Sequence, residues 1–118
     1  MNPNIVKINA YNNCVVNAGK GGKMHVIVKS IKPFRSQVSG RDCFRIDGEH
    51  LNEFDEPVKG YTFIDPANNN SSDWLEVLET WHKNRGHHLI VSGIRMKNRD
   101  RGLWSADSHP RVEDVVPA

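Results

Sequence analysis

The feature that most constrains this chain is the spacing of its apolar residues, because clear helical spacing is confined to one short stretch and the remainder alternates. Trp74, Leu78 and Trp81 recur on one side of a helix. Asp73, with Glu76 three residues later, makes a capping box at its start, and Gly86 suits the left-handed residue that ends it. Met24 to Ile31 is β-branched and begins with Met24, Val26 and Val28 on one side, which predicts a first strand. Lys32-Pro33 then ends regular pairing, because proline has no ladder donor. Arg41 to Ile46 sets Phe44 and Ile46 against Arg41, Cys43 and Arg45, the alternation of a half-buried strand. Asp47-Gly48 and Glu53 to Pro57 are turn chemistry, and Val58 to Ile64 predicts a third strand. After the helix, His88 to Met96 reads as a fourth strand, Asn98 to Gly102 as a loop, and Leu103 to Ala106 as a fifth.

With 118 residues the chain fits one domain and can bury a core without staples. The expected division is an arm over 1–22, a compact domain over 23–107 and a mobile tail over 108–118. Cys14 and Cys43 form neither a disulfide framework nor a thiolate zinc site. The expected setting is therefore reducing and intracellular, cytoplasmic or nucleoid-associated. No apolar run reaches the ~20 residues of a membrane helix, so no membrane partner is expected. Asn69 and Asn70 each begin an N-x-S triplet, which reads as loop polarity.

A formal charge of +2 hides a strong segregation. Residues 20–45 carry Lys20, Lys23, Lys29, Lys32, Arg35, Arg41 and Arg45 against Asp42 alone. Residues 46–57 carry Asp47, Glu49, Glu53, Asp55 and Glu56 with no lysine or arginine. From Lys83 to Arg101 the sign reverses again, with Asp100 the single carboxylate. Arg95, Lys97, Arg99 and Arg101 alternate toward a hairpin tip that returns through Leu103 and Trp104. Every second residue of an extended strand points the same way, so this is a ladder of positive charge beside an aromatic. It suits a polyanion with stackable bases, provided folding brings the two basic blocks onto one face.

The order strand, strand, strand, helix, strand, strand runs through VIVKSI, DCFRID, GYTFI, DWLEVLETW and VSGIRMKNRDRGLW. It resembles the OB-fold, a five-stranded Greek-key barrel with one helix between strands 3 and 4 that often binds oligonucleotides. The resemblance covers residues 23–107 and implies a mainly β barrel that holds single-stranded nucleic acid, DNA foremost, without catalysis. It also implies stacking on Tyr61 of the third strand, Phe34 of the first loop and Trp104 after the basic tip. Phosphate contacts are expected from Arg35, Arg41, Arg45, Arg95, Lys97, Arg99 and Arg101. Phe44, Phe63, Trp74 and Trp81 are assigned inward by patterning.

Other chemistries find less support. His82, His87 and His88 lack the cysteine or HExxH companions of a zinc site, and AGKGGKM lacks phosphate-loop spacing. Asp107, His109 and Glu113 would be a divalent-metal cluster, but they lie at the expected tail. No catalytic residue, metal or cofactor is therefore assigned. Two rival functions remain: a protein-interaction module in a replication, repair or translation assembly, and a small metal-dependent hydrolase or nuclease. Protein partners or self-association fit the first rival.

Overall fold

The computed structural model describes residues 23–52, 54–68 and 72–118, so the expected arm over 1–22, with Cys14, and the N-x-S positions Asn69 and Asn70 lie outside the described residues. The elements are β1 (Met24–Arg35), β2 (Asp42–Leu51), β3 (Pro57–Ile64), a short 3-10 turn (Pro66–Asn68), α1 (Asp73–Lys83), β4 (His87–Ile94), β5 (Met96–Asn98), β6 (Leu103–Trp104) and β7 (Arg111–Pro117). The protein is mainly β, with its helix between the third and fourth strands as the residue spacing predicts. The strands form one open mixed sheet in the order β5-β6-β3-β2-β1-β4-β7, in place of the expected five-stranded closed barrel. All pairings are antiparallel except β3 with β6, which run parallel at Tyr61 and Leu103.

Three differences from the expected elements have local causes. Pairing of β1 with β2 continues through Pro33, which sits opposite Phe44. The β4 partner of β1 extends only to Val28, so past that point one side of β1 has no ladder bond for a proline to interrupt. Asp47-Gly48 is not a turn but mid-strand, with Gly48 opposite both Val28 and Gly60. Residues 111–117, within the expected tail, form β7 against β4. The register shifts between Ile90 and Val91, and Val112 and Val115 both reach the main core while Val116 packs on the opposite face.

One core fills the space between α1 and the inner face of the sheet. Val26, Val28, Ile46, Ile64, Leu89, Val91 and Ile94 supply the sheet side, and Trp74 and Val77 supply the helix side. Trp74 donates its indole N–H to the Ala106 carbonyl at 2.9 Å, which ties the helix to the segment after β6. Asp73 is the first helical residue rather than the cap. Ser72 precedes it without a side-chain capping bond, so Asp73 and Glu76 favour the helix through charge at its N-terminal end. At the other end the Asn84 N–H reaches the Thr80 and Trp81 carbonyls, and Gly86 takes a φ of 85°.

Candidate nucleic-acid interface

The face of β1, β2 and β3 turned away from the helix is where the aromatic and basic residues meet. Alternation sends Ile46, Gly48 and His50 inward, so Cys43, Arg45, Asp47 and Glu49 face outward. Register then fixes the rows across the outer face: Lys32, Arg45 and Phe63 in one, Asp47 and Tyr61 in the next, Glu49 and Lys59 beyond. Phe34 lies opposite Cys43, whose side chain is buried. Phe34 and Phe63 meet edge to face at 5.2 Å, and Tyr61 and Phe63 do so at 5.6 Å. The Arg45 guanidinium stands 4.7 Å from the centre of the Tyr61 ring and 5.4 Å from that of Phe63. Both carboxylate oxygens of Asp47 accept from Arg45 Nε, at 3.0 and 3.1 Å, so the guanidinium is held in place over the rings.

Phe63, assigned to the core by patterning, is instead 41% exposed and belongs to this platform. Strict alternation was the available signal. Tyr61 and Phe63 are two apart, so they share a face, and Thr62 and Ile64 take the buried one.

Trp104 does not belong to the platform. It is fully buried, so no base can stack on it, and the stacking role expected of it is corrected. The cause is a slot made by two glycines paired across β2 and β3. A Cβ on Gly60 would lie 2.3 Å from the Trp104 indole nitrogen, and one on Gly48 would lie 3.1 Å from its far ring edge. Burying an indole of this size stabilises the fold by about 4 to 6 kcal/mol as an upper value. Its N–H donates to His50 Nδ1 at 3.0 Å. Burial, and then the positive charge of Arg99, push the His50 pKa down to about 4, which keeps the ring neutral and its proton on Nε2.

The basic residues fall into three places. Arg35 and Arg41 stand at the tip of the β1–β2 hairpin, and each has a carboxylate: Asp42 at 3.5 Å for Arg35 and Asp65 at 2.8 Å for Arg41. The Arg41–Asp65 hydrogen bonds and charge attraction raise the Arg41 pKa and lower that of Asp65. Met96 packs on the core, so its neighbours Arg95 and Lys97 point outward from the sheet edge. Arg95 also donates to the Asp107 carbonyl at 3.3 Å. Arg99 and Arg101 flank the turn into β6, beside Lys59 and the start of β3. From the Arg45–Phe63 row to Lys59 is four residues of β3, about 13 Å of extended strand. The 99–101 cations are therefore separate from the Arg45–Phe63 row rather than in a single cluster with it, and Arg99 lies close enough to His50 to act on its charge. Lys97, Arg99 and Arg101 form no salt bridge among the described residues, unlike the hairpin arginines.

The rival constellations do not converge. Among the described residues no group of three or more His, Cys, Asp or Glu side chains is placed to hold a metal ion. Of the 107–113 cluster, His109 faces Asp73 at 3.4 Å and Glu113 accepts from the Ser92 hydroxyl at 2.7 Å. No helix of the described residues is long and apolar enough to cross a membrane. Comparison with protein-family models, curated proteins and solved structures gives no match.

Proposed function

We propose that this protein binds single-stranded nucleic acid, DNA foremost, without catalysis, along the outer face of β2 and β3. The observation that carries the reading is the Arg45 guanidinium held over Tyr61 and Phe63, with Phe34 at their edge, on a sheet face open to solvent. Rings and a planar cation offer stacking surfaces that tolerate any base, and Lys32, Lys59, Arg99 and Arg101 supply charge for the backbone. An OB-like arrangement supports the same reading. Following ladder neighbours from β4 through β1, β2, β3 and β6 leads to β5, which is separated from β4 only by Arg95. The chain thus passes directly from β4, one strand in from the β7 edge, to β5 at the opposite edge, a connection that a small Greek-key barrel also makes.

Titration of a fluorescent oligothymidylate at two salt concentrations tests it. Binding should weaken steeply as salt rises, and Phe63→Ala should cost about 1 to 3 kcal/mol of affinity, the worth of one stacked base. No binding at low salt, or equal binding by Tyr61→Ala/Phe63→Ala, refutes the proposal. Matched DNA and RNA strands then rank the two polymers.

One observation favours a second reading, a protein-interaction module. A cleft of about 870 Å³ beside the C-terminal half of α1 has Ile31, Pro33, Phe44, Leu78 and Trp81 in its walls. Contiguous apolar surface of this kind suits a protein partner. Substituting Leu78 and Phe44 would then abolish partner capture while leaving oligonucleotide affinity unchanged.

A further inference from the structure

The turn that carries Arg99 and Arg101 is fixed against the sheet at backbone level. Asn98 Oδ1 accepts from the Arg101 N–H at 3.2 Å, and the Gly102 N–H donates to the Arg99 carbonyl at the same distance. The Gly102 carbonyl in turn accepts from the Tyr61 N–H at 2.9 Å. Gly102 has a φ of 68°, and a Cβ there would sit 2.4 Å from the Lys59 carbonyl oxygen. Only glycine allows the turn to lie this close to β3.

The result is a pocket of about 320 Å³ whose walls include Lys59, Arg99, Arg101, Asn52 and His50, with Asp100 as its one described carboxylate. His50 is 3% exposed, and its Nδ1 is occupied by the Trp104 N–H. The proton on Nε2 is the remaining donor of the ring, which lines the pocket. Arg99 and Arg101 beside a neutral N–H, with Lys59 at the rim, match a tetrahedral oxyanion, which accepts several hydrogen bonds at once.

The geometry points to a phosphate-binding pocket in which Lys59, Arg99, Arg101 and His50 Nε2–H hold one phosphate group of the bound strand. The pocket stands on its own geometry, and the strand as the source of the phosphate rests on the nucleic-acid reading. Its place beside the start of β3 makes it an anchor for one backbone position while bases lie over Tyr61 and Phe63. Phosphate and phosphodiester share the recognised chemistry, and a terminal phosphate differs from an internal one in charge.

The test uses the full chain, labelled with nitrogen-15, and follows the indole N–H signals of its tryptophans. Trp104 donates directly to His50, so occupancy of the pocket must move the Trp104 signal. Inorganic phosphate is added at constant ionic strength against chloride, followed by a short oligothymidylate with or without a 5′ or 3′ phosphate. A saturable shift of the Trp104 signal with phosphate, absent with chloride and lost in Arg99→Gln/Arg101→Gln, supports the pocket. Unchanged Trp74 and Trp81 signals show that the variant is folded. A tighter fit of the phosphorylated strand, by about tenfold, assigns a terminal phosphate, and equal affinity assigns an internal one. No shift with phosphate, or a shift that persists in the double variant, overturns the pocket even if the oligonucleotide binds. A strand that binds without moving the Trp104 signal overturns the strand as source. A phosphate shift with no strand binding refutes the nucleic-acid reading and leaves a pocket for free phosphate.

Discussion

Acidification below pH 6.5 should weaken the fold through His50. In the native state the ring accepts from Trp104 and its pKa lies at about 4, against an ordinary value of 6.5. Between those values the unfolded chain takes up a proton that the native state refuses, so stability falls as pH drops. The contribution is fully present above pH 6.5 and is lost progressively toward pH 4. The interval corresponds to a ceiling of ~3 kcal/mol, a large share of the ~5 to 15 kcal/mol that holds a typical domain. Urea unfolding at several pH values between 7.5 and 4.5, followed by tryptophan fluorescence, measures it. His50→Asn keeps an oxygen near the Nδ1 position but cannot titrate. The variant should be less stable at pH 7.5, because ring volume is lost, and should show a much shallower pH slope. Parallel slopes for the two proteins, or a His50 ring that titrates near 6.5 by NMR, would refute the reasoning.

Other substitutions probe the same architecture. Gly60→Ala drives a methyl into the Trp104 indole and should destabilise by about 3 kcal/mol, seen as a lower urea midpoint at unchanged slope. Thr62→Val removes a buried hydroxyl that has no hydrogen-bond partner, and should be neutral or stabilising by up to ~1 kcal/mol in the same assay. Asp65→Asn should leave the pH 4 to 6.5 profile untouched and alter only more acid unfolding. Arg41 depresses the Asp65 pKa below 3.8, so that contribution disappears only as pH falls through the lowered value.

Much of the scaffold is legible from period alone. Arg41 to Ile46 alternates cleanly, and both the strand and its inward residue Ile46 follow from that alternation. Trp74 at the start of the helical stretch is buried as its spacing implies. Alternation in GYTFI separates Tyr61 and Phe63 from Thr62 and Ile64, but it does not say which pair the core takes. Aromatic bulk argues for the wrong pair, because Trp104 arrives from a distant segment and fills the inner side. The slot that receives it needs Gly48 and Gly60 in register, a pairing twelve residues apart that no local pattern records. Charge segregation likewise locates cations without their partners. The hairpin arginines turn out to be paired with Asp42, Asp47 and Asp65, whereas the 97–101 cations form no such pair among the described residues.

β7 is the last strand of the ladder, and its composition bears on whether further strands can be added. An outermost strand offers unused amide and carbonyl groups to any extended segment that approaches. Here Pro110 and Pro117 bracket the strand, the register breaks near Glu113, and Glu113 and Asp114 place negative charge at its middle. Such a border discourages sheet growth from molecule to molecule, so concentrated solutions should resist fibre formation even though seven strands lie in a single layer.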